Sequence, residues 1–183
     1  MVKLSEVCEI KSGGTPPTNK VNYYKDGKIP WLKSEVCKDE IVNQAKSFIS
    51  DEGLKNSSAK WLNKNSTLIA LVGATIGKTA FITFEATTNQ NIAGLYPKNL
   101  SRLDPFYLYM VCQTLYEKFI KLGDGGFRMA NLTFVKNLNI PIPKFEIQKK
   151  LVAEAEKEQQ IINANKQLIE IYEQKISDVL SEI

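Results

Sequence analysis

From Phe145 to Ile183 the chain contains neither proline nor glycine, and Ile162, Ile169, Ile176 and Ile183 recur every seven residues. Leu151, Tyr172 and Val179 occupy the intervening core register of the same heptad. A segment of this kind is a coiled-coil helix. At about 1.5 Å per residue, roughly 38 residues make a rod on the order of 57 Å long, well beyond an average globular helix. A rod that long cannot bury its own apolar stripe, so its period calls for a second helix rather than for packing against its own domain. Glu158 and Asn165 fall in the register of Tyr172. A polar residue there either fixes register and partner or faces solvent near a frayed crossing.

Ahead of the rod stands Pro141-Ile142-Pro143-Lys144. Two prolines forbid regular helix and favour extended backbone, so a stiff strap ends one unit and starts another. The expected organisation is a globular domain over residues 1–144 followed by a long helix over 145–183. The first unit has no solenoid repeat and reads as an α+β domain of short strands interrupted by two helices. Thr67–Val72, Thr79–Phe84 and Ile92–Tyr96 are short apolar or β-branched runs bounded by Gly, Asn or charged residues, as buried strands are. Asp104-Pro105 supplies an N-cap and a first-turn proline, and Gly123 sits at a C-cap position. The residues between are apolar almost all round, which predicts one buried helix. A shorter helix is expected within Ser50–Trp61.

Composition narrows the chemistry. The chain has no histidine, which removes the usual general base near neutral pH, the Ser-His and Cys-His nucleophile pairs, and most zinc sites. Cys8, Cys37 and Cys112 form no Cys-x-x-Cys unit and read as reduced packing residues. No run approaches the roughly 18 apolar residues of a membrane span, and Met1–Ile10 carries Lys3, Glu6 and Glu9 in place of a signal block. A cytoplasmic protein is expected. Charge divides with the two units: residues 1–144 hold 19 Lys+Arg against 12 Asp+Glu, or +7, and residues 145–183 hold 5 against 8, or −3, which together give the net +4. A basic head suits a polyanionic partner.

Four motifs carry possible contacts. Gly73-Ala74-Thr75-Ile76-Gly77-Lys78 has three residues between its glycines where a phosphate-binding P-loop needs four. It reads as a tight turn between core strands, with Lys78 free to reach a DNA phosphate. Thr87-Thr88-Asn89-Gln90-Asn91 offers carboxamides, which either read an adenine edge or satisfy loop backbone. Lys11-Ser12-Gly13-Gly14-Thr15-Pro16-Pro17-Thr18-Asn19-Lys20, followed by Tyr23, is a small-residue loop that could hold a phosphate or simply face solvent. Gly123-Asp124-Gly125-Gly126-Phe127-Arg128 ends on an arginine able to grip guanine bidentately. Trp31 and Trp61 are expected as core anchors.

Gly13-Gly14-Thr15-Pro16, Ile29-Pro30-Trp31, Ile49-Ser50-Asp51-Glu52-Gly53-Leu54, the glycine turn, Thr88-Asn89-Gln90 and Pro141-Ile142-Pro143 with Gln148 follow one another in an order and spacing that resembles type I restriction-modification specificity subunits. The resemblance covers nearly the whole chain, and full-length members hold two such units, so this chain resembles one half. It implies a non-catalytic recognition domain that reads half of a split DNA site, and a spacer helix that pairs with a second copy or a different half. It places S-adenosylmethionine, ATP and magnesium on partner modification and motor subunits, with no cofactor on this chain. Base reading is then expected in the loops Thr18–Tyr24, Lys33–Lys38 with Ser34, and Asp124–Asn131. The competing reading is a coiled-coil scaffold that assembles proteins and whose basic head is incidental.

Overall fold

The computed structural model describes residues 1–122 and 129–181. In chain order they form β1 (Val2–Lys3), α1 (Leu4–Val7), β2 (Cys8–Ser12), β3 (Ile29–Leu32), β4 (Glu40–Val42), β5 (Phe48–Ile49), α2 (Asp51–Lys55), β6 (Trp61–Leu62), β7 (Thr67–Ala70), β8 (Thr79–Ile82), β9 (Ala86–Thr88), β10 (Ile92–Pro97), α3 (Pro105–Gln113), α4 (Tyr116–Ile120), α5 (Leu132–Asn137), β11 (Asn139–Ile140) and α6 (Phe145–Ser181). This is the expected mixed fold with a long terminal helix.

The head is layered. A five-stranded sheet, in the order β2-β10-β7-β8-β4, lies between helices on one face and a four-stranded sheet, β5-β3-β9-β6, on the other. The three runs expected as core strands are β7, β8 and β10, and their composition follows from burial on both faces. Along β7, Ile69 packs into the helix-side cluster with Leu95, Leu108 and Phe119, while Leu68 and Ala70 pack into the inter-sheet cluster with Leu62, Ile82 and Ile92. At Gly94 a Cβ would stand 2.4 Å from Leu62 Cδ1, so a larger residue would push the Leu62 side chain out of its place between the sheets.

The single helix expected between Asp104 and Gly123 is broken in two. Its start is as expected, with Asp104 Oδ1 accepting from the backbone N–H groups of Phe106 and Tyr107 at 2.8 and 3.0 Å. At Thr114 the hydroxyl donates to the Val111 carbonyl at 2.8 Å, and the Thr114 and Leu115 amides reach back only three residues. This competition tightens the turn and ends α3. Gly123 lies outside the described residues. The helix expected near Ser50 is short: the Ser50 hydroxyl caps Gly53, and α2 stops at Lys55. Helices α1 and α5, absent from the expectation of two, are single turns on the same helical face. Trp61 is a further difference, since it is 45% exposed on edge strand β6 and anchors no core.

A buried amide fastens α6 to the head. Gln148, fully buried, accepts from the Asp104 backbone N–H at 3.0 Å and donates to the carbonyls of Arg102 and Pro143, both at 2.9 Å. The Tyr107 hydroxyl donates to the Pro141 carbonyl at 3.2 Å, which holds the strap down. Val152 packs on the head core, and farther along Gln159, Ile162, Asn163 and Lys166 face residues 38–41, Asn43 and Thr83 across a cleft. Leu151, Ile162, Ile169, Tyr172, Ile176 and Val179 are exposed, with Ile161 and Leu168 beside them. Asn165 is exposed on the same helix, and Ile183 lies outside the described residues. Among the described residues no helix is long and apolar enough to cross a membrane.

Candidate nucleic-acid interface

The loop after β2 is held against the β9–β10 turn. The Gly14 N–H donates to the Thr88 carbonyl at 2.9 Å, the Ser12 hydroxyl to the Gln90 carbonyl at 3.0 Å, and the Thr15 hydroxyl to Gln90 Oε1 at 2.7 Å. Trp31 Nε1–H donates to the Gly14 carbonyl at 3.0 Å, and the Tyr24 hydroxyl donates to the Pro16 carbonyl. The glycine pair is there for space: a Cβ on Gly13 would stand 1.8 Å from the Thr88 carbonyl oxygen, and one on Gly14 2.0 Å from Ser58 Oγ. Trp31 is thus a core anchor, as expected, with Tyr24 edge-on at 6.0 Å.

This anchoring opens a cleft. Thr15 and Thr18 form one wall, Asn89, Gln90 and Asn91 another, and Tyr24, Trp31, Lys33, Ser47 and Phe48 complete it. A second cleft shares Trp31, Lys33 and Ser47 and continues along Glu35, Lys38 and Glu40 to Asn43, Gln44 and Lys46. Lys33, its Nζ 5.5 Å from the Trp31 ring centroid, marks the ridge between them. The two adjoining clefts mix apolar surface, including the half-exposed Phe48 at 41%, with lysine, glutamate, hydroxyl and carboxamide groups. Hydroxyl, carboxamide and ammonium groups of this kind can meet phosphate oxygens and base edges.

Of the candidate residues, the fold brings Thr15, Thr18, Lys33, Asn89 and Gln90 together. Asn89 is buried, and its Oδ1 accepts from the Asn91 N–H at 3.1 Å, so its amide shapes the turn; Gln90 is exposed. Ser12 and Gly14 support the cleft from behind. Asn19 and Lys20 lie exposed on the loop beyond Thr18, and Tyr23 accepts from the Ser50 N–H through its carbonyl. Ser34 is tied through its carbonyl to the Thr75 hydroxyl at 3.4 Å. Lys11 stands elsewhere, paired with Glu9 at 3.0 Å in a separate cleft with Lys98 and Lys136. Asn131 caps α5, its Oδ1 accepting from the Phe134 N–H at 2.8 Å. Lys78 is paired with Asp39 at 2.6 Å. Arg128 lies outside the described residues. Asn91, part of the carboxamide motif, also lines the cleft, whereas Ser47, Phe48 and Lys46 carried no sequence signal of their own; an exposed Phe48 beside a buried Ile49 is the strand alternation that could have marked the first two.

The glycine turn joins β7 to β8, and a strand rather than a helix follows it, which rules out a P-loop architecture. Among the described residues no group of three or more Cys, Asp or Glu side chains could hold a metal ion. All three cysteines are free and buried; burial pushes the Cys8 and Cys37 thiols up to about 12, and Cys112 well above its ordinary value.

Residues 1–174, which take in the head, the strap and most of α6, match the family model described as type I restriction modification DNA specificity domain. The chain belongs to this specificity family. Similar proteins include the EcoR124I/EcoR124II specificity subunit of Escherichia coli, 25% identical over 154 residues, which cover 81% of this chain and 38% of the relative. The MjaIX specificity subunit of Methanocaldococcus jannaschii is 27% identical over 154 residues, 81% of this chain and 35% of that one. The EcoprrI specificity subunit of Escherichia coli is 32% identical over 146 residues, 76% of this chain and 35% of the relative. This specificity chain therefore spans well under half the length of the relatives it matches. Its fold is shared with the HsdS subunit from Thermoanaerobacter tengcongensis, at TM-score 0.66 and 24% identity over 89% of this chain and 38% of that one. The S subunit from M. genitalium also has TM-score 0.66, at 16% identity over 93% of this chain and 41% of the other.

Proposed function

We propose that this specificity chain reads the sequence of one half of a bipartite double-stranded DNA site and directs methyltransferase and endonuclease subunits to it. The observation that carries the reading is the concave surface from Thr15 to Asn43, framed by loops of a head that belongs to the specificity family. The head, residues 1–144, is the reading unit, and α6 is the spacer that meets a second helix, supplied by another copy or by a different half. Exposed isoleucines at heptad spacing support that pairing. The chain itself is non-catalytic in this reading and works in the cytoplasm. S-adenosylmethionine, ATP and magnesium belong to the partner subunits.

Selection of DNA from a random pool by the chain with its modification subunit tests the reading. Enrichment of a defined half-site is expected, with log affinity falling linearly against log salt because lysine–phosphate contacts release counterions. A complex that assembles, selects no sequence and shows no salt slope would establish the scaffold reading instead.

A further inference from the structure

Lys78 follows the glycine turn, where it could extend toward DNA, yet its ammonium is committed elsewhere. Nζ lies 2.6 Å from Asp39 Oδ2 and 4.6 Å from the centroid of the Tyr116 ring. The other Asp39 oxygen accepts from the Thr79 N–H at 2.9 Å and the Thr79 hydroxyl at 3.0 Å, while the Asp39 N–H donates to the Thr79 carbonyl at 2.7 Å. These bonds hold Asp39 at φ 60°, in the left-handed region, which costs a non-glycine residue of order 1 kcal/mol. Burial alone would raise the Asp39 carboxyl, but the Lys78 and Thr79 hydrogen bonds and the Lys78 charge hold it below its ordinary value.

Asp39 ends the Lys33–Lys38 loop. At its start, the Leu32 carbonyl accepts from the Asn89 N–H at 2.9 Å; midway, Thr75 of the glycine turn holds Ser34, and Cys37 is fully buried. The loop backbone is therefore fixed at both ends and from below, with Glu35 and Lys38 left exposed. The turn is seated in its own right: Gly77 has φ 76°, and a Cβ there would stand 2.6 Å from Phe119 Cβ on α4. A continuous support runs from α4 through the turn to the loop.

We propose that Lys78 and Asp39 form a brace that positions the Lys33–Lys38 loop, so that Lys78 governs sequence selection through the loop and touches no DNA phosphate. This rests on the DNA-reading function proposed above. It separates the two roles that a lysine beside a DNA surface can have, since a phosphate contact carries salt dependence and a brace carries selectivity.

The test uses the full 183-residue chain with its modification subunit, comparing affinity for the selected half-site and for random-sequence duplex across a salt series. Asp39→Asn and Lys78→Met are each expected to lower the specific-to-random ratio about threefold, as suits a pair whose side chains are 39 and 30% exposed, and to leave the salt slope unchanged, while Lys78→Arg restores most of the ratio. Asp39→Asn is decisive because it frees the Lys78 ammonium, which would preserve or strengthen a phosphate contact. A slope reduced by about 1 in Lys78→Met with the ratio intact would overturn the brace, as would unchanged selectivity in Asp39→Asn. If Lys78→Met fails to fold by circular dichroism, Asp39→Asn and Thr75→Val supply the same comparison. A wild-type complex with no selectivity would instead refute the reading function itself.

Discussion

The head and the terminal helix use the same residue types to opposite ends. In the head, Leu68, Ile69, Ile92, Leu95 and Leu108 are fully buried between layers that the chain itself supplies. On α6, Ile162, Ile169 and Ile176 are 47, 57 and 59% exposed. The head covers its own apolar side chains, whereas the helix leaves its heptad stripe exposed. Hydrophobicity in a sequence thus marks what will be covered, and periodicity indicates by what: both-faced strands by their own domain, a heptad stripe by another helix.

The largest break in this contrast is expected from truncation. Leu108→Ala should cost about 2–5 kcal/mol, the range for a buried leucine, whereas Ile169→Ala should change the unpaired chain by less than about 0.5 kcal/mol. Urea unfolding of both variants, followed by a sedimentation assay in which only Ile169→Asp loses association with a second helix, checks the pair. Equal destabilisation by the two alanines would show that α6 is packed as the head is.

Gln148 is where the two regions join, and its removal sharpens the comparison. Gln148→Leu leaves the Asp104 N–H and the Arg102 and Pro143 carbonyls without the partner they have now. The expected cost is about 1–3 kcal/mol, with faster proteolysis across the strap at residues 141–144 than within the head. Uniform cleavage would mean that the amide does not govern the junction.

A graded effect belongs to the head alone. In the unfolded chain Cys8 and Cys37 release their protons near 9.0, but in the fold only near 12. Their burial therefore stabilises the head fully below pH 9, and this is lost as pH rises, at roughly 1.4 kcal/mol per pH unit for each thiol. Thermal melts should stay level from pH 8 to 9 and fall from 9 to 10.5, and Cys37→Ala should remove one thiol's share of that fall. A pH-independent melting temperature would contradict the assigned burial.

Much of the fold was legible because its signals are local. The three core strands are continuous apolar runs, and α6 has a heptad without a breaker. The end of α3 was not legible, since Thr114 ends it through a side-chain bond that any threonine can make or decline. Two-residue strands such as β5 and β6 carry too few positions for a period. The site was only half legible. Thr15, Thr18, Lys33 and Gln90 were visible as residue types, but the cleft exists because β3 pairs parallel with β9 and brings them together. Lys78 looked available because Asp39, its partner 39 residues earlier in the chain, is placed beside it only by the pairing of β4 with β8.

The central claim, that this chain selects the DNA sequence on which partner subunits act, is tested most directly by mapping adenine methylation across a genome. The map compares cells expressing the cognate modification subunit with and without this chain. A split motif that appears only with the chain is predicted, palindromic if α6 pairs with its own copy and asymmetric if it pairs with a different half. A soluble complex with no chain-dependent motif would contradict the account.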